Sequence, residues 1–526
     1  MSSRTARHAR AGIRLALVPL AALVPGLLAA QDRAQGAPAR DPAQDPTMQE
    51  ARATRVLKLS LEDALRVALL NNFDLEVERL STAQARYNAI GSWGAFDPFF
   101  RMDGTAAQSE TEAQSSLIGT EENDLRFDSS LSFPLLTGGT LDLAYGHTNS
   151  ETDAPFAIFD VSTRDVITVS LTQPLLRGAW RRYATIEQRA TEIALERQIE
   201  REREVHARLL LDVANAYWTV VSAQEELAVR QLTLQRGQQQ LAQDQRRLEV
   251  GAGTEVDVLQ SETNVATAEQ GLLQAEYTLR EARDALRRVL APRPGEDYEA
   301  YLDAWDWPIE TLTPLPQDPQ AAQPWRTSLR SALERRPELA QVRLGIEAAE
   351  VDLQRAQSLR LPQLDVNVSS SSAGFDTDPA EAFDKAAGWD FPSSSAGFTF
   401  SLPLWNRTAR NAEYSARAAL RQAMLLFDRL ELDLLAEVRL AVNEVDRQRD
   451  AVEAAVKSRT LAQRQLEAEE TRQQVGLSTT FQVLQFQEDL ARTLSAEVFA
   501  RAAYARAQAR LAFAEGRLEA PESEGR

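Results

Sequence analysis

Apolar positions along this chain fall into distinct rhythms. Between 96 and 174 they alternate. Phe100 and Met102 open the block, Leu125, Phe127, Leu131 and Phe133 share one face, Leu141, Leu143 and Tyr145 follow, and Ile167, Val169 and Leu171 close it. A period of two is that of half-exposed β-strands. From 181 to 250 the rhythm lengthens: Val213, Val220, Leu227, Leu234, Leu241 and Leu248 recur every seventh residue, with no Pro and only Gly237 to interrupt. That spacing predicts a helix packed along its length in coiled-coil fashion, and 70 residues at ~1.5 Å each would reach about 105 Å. Gly251 and Gly253 then turn the chain back into a return helix over 254–290.

The same layout occurs twice. The first copy covers 57–291 and opens on a helix N-capped by Ser60, with Asp63 at its third position, running to about Ile90. The second covers 325–518. It has a helix over 325–360, interrupted or restarted at Pro337, then strands within 362–403, a long helix over 407–475 and a return helix over 479–515. Asp97-Pro98 answers Leu361-Pro362, and Val250-Gly251 answers Val475-Gly476. Pro98 and Pro174 lie 76 residues apart but Pro362 and Pro403 only 41, so the first copy holds one surplus hairpin, turning at Gly138-Gly139. Thr137-Gly138-Gly139-Thr140 reads as a two-residue hairpin turn, and polar loops are expected over 109–123 and 148–164. A Pro-rich linker, 292–324, joins the halves.

Targeting and charge add a compartment. Arg4, Arg7, Arg10 and Arg14 precede an apolar run broken by Pro19 and Pro25, which is the anatomy of a signal peptide over 1–30. A polar segment over 31–56 follows, read as flexible, and 519–526 is a polar tail. No later stretch reaches the ~18 consecutive apolar residues of a membrane helix. An exported protein that meets a membrane without such a helix must use a β-barrel. Four to six strands per chain cannot enclose a water-filled lumen, so several copies must each contribute staves. The net charge of -19, from 77 acids and 58 bases, speaks against nucleic acid. Without cysteine there is no disulfide framework, thiolate site or acylated N-terminal cysteine. His8 lies in the signal, and His147 and His206 alone assemble neither a metal cluster nor a triad, so no cofactor, metal or catalytic residue is expected.

The run Leu59-Ser-Leu-Glu-Asp-Ala-Leu65 with Asn71-Asn72, the Leu361-Pro362 strand entry, Gln173-Pro174-Leu-Leu-Arg-Gly178, and the two Val-Gly reversals followed by Asp257-Val-Leu and Gln482-Val-Leu closely resemble the TolC-like outer-membrane efflux protein family. The resemblance implies a mainly α protein with membrane β: a homotrimer whose shared β-barrel in the outer membrane of a Gram-negative-type cell continues into an α-helical coiled-coil tunnel in the periplasm. It places the linker 292–324 at the tunnel's equator. It implies a passive exit duct of a tripartite efflux or type I secretion system. The partners it implies are outer-membrane lipid, a periplasmic membrane-fusion adaptor and an inner-membrane pump of the resistance-nodulation-division, ABC or another class. The alternative is a periplasmic coiled-coil spacer, anchored in the outer membrane, that conducts nothing. Six strands per copy would give eighteen in place of the family's twelve, unless the surplus hairpin stands off the barrel as decoration.

By the same resemblance, Val250, Gly251, Val475, Gly476, Leu477 and Ser478 meet the adaptor at the helical tips. A plainer reading is that the glycines only end helices in a left-handed cap. Asp257 falls where the family places an acid at the tunnel constriction, but Gln482 and Gln485 replace the second repeat's two aspartates and Ser478 its basic residue, which puts a charge-latched gate in doubt. Thr254-x-x-Asp257 and Thr479-x-x-Gln482 are also capping-box spacings. Trp93, Trp180 and Trp405 stand where helices meet strands, either as a membrane-interface belt or as packing at the corner.

Overall fold

The computed structural model describes residues 56–110, 121–153, 157–291 and 298–518. The signal peptide, the polar segment after it up to residue 55 and the polar tail lie outside the described residues. Two antiparallel helical hairpins and one six-stranded sheet dominate the fold.

In the first repeat, β1 (Leu57–Leu59) leads into α1 (Leu61–Asn71) and α2 (Phe73–Ser92), and a 3-10 turn, Trp93–Phe96, brings the chain to the sheet. Ser60 and Asp63 form the expected capping box, but the single helix expected to run to Ile90 is two. Asn72 causes the break. Its extended backbone closes α1, while its side chain accepts the Leu75 N–H at 3.1 Å and donates to the Val289 carbonyl at 3.3 Å. The second repeat breaks at the matching place, between α7 (Trp325–Arg335) and α8 (Pro337–Arg360), because Pro337 forbids helical backbone at Arg336.

The long helices are α4 (Ile186–Glu249, 64 residues) and α10 (Arg407–Gln474, 68 residues), about 96 and 102 Å long at ~1.5 Å per residue. The first starts later than the expected residue 181, because a short α3 (Trp180–Ala184) precedes it. Their return helices, α5 (Glu255–Leu290) and α11 (Thr480–Ala514), come back about half that distance. Along α4 the heptad fades: Val213 and Val220 are fully buried, Leu227, Leu234 and Leu241 partly so, and Leu248 at the tip is exposed. α11 packs on α4 and joins the two hairpins.

The linker is more than a connection. It carries α6 (Tyr298–Asp306) and β6 (Ile309–Thr311), and β6 pairs in parallel with β1. Side chains of the bundle hold it by its backbone. The buried Tyr217 hydroxyl donates to the Leu59 carbonyl at 3.1 Å and accepts the Thr313 N–H at 3.0 Å, and Tyr504 does the same to both backbone groups of Gln320. Arg501 donates to the carbonyls of Pro316 and Gln317. Such an irregular segment is tolerable against a core because its polar groups are paired. Beneath it Leu59, Ala64, Leu75, Leu210, Leu286 and Ile309 are buried.

The sheet runs β2 (Phe99–Glu110), β3 (Glu121–Pro134), β4 (Thr140–Thr152), β5 (Val161–Pro174), β7 (Gln363–Asp376), β8 (Pro392–Ser401), all antiparallel and in that spatial order. The surplus hairpin β3–β4 is therefore part of the sheet, and the decorative alternative is set aside. Three expectations need correction. The Gly138-Gly139 turn spans five residues, 135–139, with only Gly138 at positive φ (+85°). Strands β2 to β5 reach into the stretches expected to be polar loops, because a polar strand keeps its ladder as long as its neighbour does. Between β7 and β8 the expected loop carries a helix, α9 (Pro379–Ala387). It lies on β5 and β7, with Ala382 and Ala386 buried, so close to the strand that a Cβ on Gly374 would come within 1.8 Å of the Ala382 carbonyl oxygen.

Candidate channel surfaces

Residue alternation and strand register together sort the sheet into two unlike faces. One carries Phe100, Met102, Phe127, Leu131, Leu143, Val169, Leu171, Val368, Phe398 and Phe400, side by side across all six strands near the helical end. Phe100, Phe398 and Phe400 are exposed, although each is large and apolar. The other face carries Arg101, Asp103, Arg126, Asp128, Ser130, Asp142, Thr168, Ser170, Asp365, Asn367, Ser395 and Thr399. Ion pairs Arg101–Asp103 and Arg126–Asp128, both 2.7 Å, run along it. One face thus suits hydrocarbon and the other water. Farther from the helices the apolar face also turns polar. There Asp165, buried under α9, accepts from the Tyr145 hydroxyl at 2.9 Å and lies 2.6 Å from His147 Nδ1, while the Phe383 ring of α9 meets Tyr145 edge-on at 5.8 Å. Both outer strands, β2 and β8, have one edge unpaired among the described residues.

The three tryptophans occupy the corners between sheet and helices. Trp93 starts the 3-10 turn 6.0 Å from the Phe96 ring, Trp180 begins α3, and Trp405 precedes α10. All three are exposed, Trp93 the least of them. Two corners turn through left-handed backbone at residues other than glycine, Trp180 (φ +65°) and Asn406 (φ +41°).

At the opposite end the two reversals are built alike. Val250 and Val475 end the long helices, and Gly251 and Gly476 follow at φ +75° and +76°. The next N–H groups, of Ala252 and Leu477, return to the carbonyls of Arg247 and Arg472 at 2.7 and 2.9 Å, completing a Schellman motif on each side. Val250, Val475 and Leu477 are exposed, leaving a bare apolar tip on each hairpin. The return helices start on the capping boxes. Asp257 accepts the Thr254 N–H at 3.1 Å and Gln482 accepts that of Thr479 at 3.4 Å. Ser478 donates to Gln482 Oε1 at 3.0 Å and also meets Glu469. Gln485 stands apart from these caps, in a groove of about 900 Å³ between α5 and α11 that Val256, Leu259 and Phe481 also line.

One residue of this region escaped the sequence reading. Asp244 on α4 is only 2% exposed, and its carboxylate accepts from Gln240 (3.0 Å), from Ser261 of α5 (2.7 Å) and from Thr480 of α11 (3.2 Å). It thereby ties the first hairpin to the second just behind the tips. The signal was present: Asp244 stands three residues after Leu241, a d position of the heptad, where an acid is out of place unless it is paired.

The family model described as outer membrane efflux protein matches residues 140–291 and 328–517, the greater part of both repeats. Among curated relatives, the pyoverdine export outer membrane protein OpmQ of Pseudomonas aeruginosa is 27% identical over 54% of this chain, and the alkaline protease secretion protein AprF of the same organism is 26% identical over 47%. The chain spans 56% of the first and 47% of the second. Of solved structures, the outer membrane protein VceC of Vibrio cholerae superposes with a TM-score of 0.62 at 17% identity, over 87% of this chain and 96% of that one, a likeness of fold. With its two repeats matched at the same elements that carry the strands, long helices and reversals, the chain belongs to the outer membrane efflux protein family.

Proposed function

We propose that this protein is a passive exit duct of the outer membrane, a homotrimer in which three six-stranded staves close an eighteen-stranded barrel over a tunnel of long helices in the periplasm. The observation that carries the reading is the sheet itself. It has an apolar face, a face lined with Asp, Arg, Ser and Thr, and two unpaired edges. A sheet of this kind closes only by pairing β8 of one copy with β2 of the next. The polar face then lines water and the apolar face meets lipid, with Trp93, Trp180 and Trp405 at the membrane boundary. Among the described residues no helix is long and apolar enough to cross a membrane.

The bare tips of Val250, Gly251, Val475, Gly476, Leu477 and Ser478 would seat the hairpins of a periplasmic adaptor, and through it an inner-membrane pump supplies the energy. Asp257, Gln482 and Gln485 would ring the tunnel's narrow end. With two glutamines in that set the ring depends less on charge and more on hydrogen bonding. Relatives named for pyoverdine export and for alkaline protease secretion support a cargo range that takes in small molecules and polypeptides alike. The purified full chain, reconstituted in a planar bilayer, should conduct ions in discrete steps; an ion-tight preparation of intact trimers would favour the spacer and overturn the duct.

A further inference from the structure

A groove of about 680 Å³ lies at the corner where β8 passes into α10. Arg177, from the β5–α3 connection, forms one wall, Leu359 in the last turn of α8 forms the floor, and Leu404, Trp405 and Arg407 form the other wall. Leu404 is 84% exposed and Trp405 72%. The two cations are unneutralised. Arg177 donates to the Leu359 carbonyl at 2.9 Å, but its Nε is buried without a hydrogen-bond partner. Neither Arg177 nor Arg407 forms an ion pair among the described residues. The first turn of α10 adds no acid, and Asn406 points its amide away, to the Arg360 carbonyl at 3.1 Å.

We infer that this groove binds an anionic glycerophospholipid of the periplasmic leaflet, its phosphate between Arg177 and Arg407 and one acyl chain along Leu404 and Trp405. The inference rests on the reading of the sheet as the membrane-spanning element. An occupant must be apolar where Leu404 and Trp405 are bare and negative where Arg177 and Arg407 line the groove, and a phospholipid at the membrane boundary is both. Guanidinium favours phosphate because its planar donor fork matches two oxygens at once.

The test is native mass spectrometry of the detergent-solubilised full chain titrated with phosphatidylglycerol or phosphatidylcholine. We expect phosphatidylglycerol to be retained preferentially, with affinity falling about fivefold for each of R177Q and R407Q, and with R407K, which keeps the charge but loses the fork, falling between R407Q and the native chain. Equal retention of the two lipids, or indifference to both glutamine variants, overturns the inference. So does full competition by inorganic phosphate at equal concentration, which marks a plain anion site, or loss of trimers in R177Q/R407Q with lipid retention unchanged, which marks a contact between copies. Should the double variant fail to assemble, brominated phosphatidylglycerol decides. It should quench the native chain more than Trp405→Phe, and equal quenching refutes the site. Ion conductance of the same preparation separates the two proposals, since a conducting channel without lipid preference loses only the groove.

Discussion

The two repeats agree in their helices and disagree in their strands. α4 and α10 differ by four residues and α5 and α11 by one, whereas the first repeat gives four strands to the sheet and the second gives two. The helices are constrained in pairs: each hairpin must end beside the other, and the Asp244–Thr480 bond works only if both tips reach the same depth. A sheet has no such constraint. A hairpin inserted between β2 and β5 adds two more ladders and leaves the corners into α2 and α4 where they were. Length is conserved where two elements must meet end to end, and strand number is free where elements only add side by side.

The strongest way to break this comparison is to make the repeats equal. Removal of β3–β4, joining β2 directly to β5, should still give trimers, with the barrel reduced from eighteen strands to twelve and its diameter by about a third, as measured by electron microscopy. An unchanged diameter would mean that the hairpin is not in the wall. Next in size, Asp244→Ala strands the Ser261 and Thr480 hydroxyls and should cost about 2 to 3 kcal/mol locally. Amide exchange should accelerate at both tips together, and acceleration confined to α4 and α5 would show that the hairpins are independent. A smaller change sharpens the comparison. Gln482→Asp gives the second return helix the acid that the first already has, and should stabilise its first turn by about 0.3 to 1 kcal/mol at low salt, with the gain shrinking as salt is added. The smallest effect concerns His206 on α4, 32 residues after Pro174, where the same offset from Pro403 gives Leu435. Burial, helped by Arg79, holds the His206 imidazole below its ordinary 6.5. A histidine depressed in this way binds its proton less readily when folded, so stability is full above pH 6.5 and falls as pH drops below it. His206→Leu should flatten that fall in thermal melts between pH 7 and 5, and an unaltered slope would assign the acid sensitivity elsewhere.

What the sequence made legible follows from how local each signal is. The long helices, the return helices, both reversals and both capping boxes were readable because a seven-residue recurrence, a Gly after Val and a Thr-x-x-acid or Thr-x-x-Gln spacing each act within a few residues. The broken first helix was missed because Asn72 sits between two good helical patterns, and its second bond is to Val289, more than two hundred residues away. Helix α9 was missed because its fit depends on Gly374 of another element. The parallel pairing of β1 with β6 involves three residues on each side, too few to show a period. Asp244 was legible in principle as an acid in a heptad core position, but its third partner, Thr480, comes from the other repeat.

The bare edges of β2 and β8 bear on biogenesis. A copy that finished its sheet while still dissolved in an aqueous compartment would offer two sticky borders and a greasy wall to any passing chain, an invitation to aggregate. For the trimeric barrel proposed above, safe passage then requires that the strands stay unzipped until three copies converge at the lipid, so that wall formation and trimer formation would be one event. Overproduction beyond what the envelope can seat should accordingly yield insoluble deposits and no pool of folded single copies.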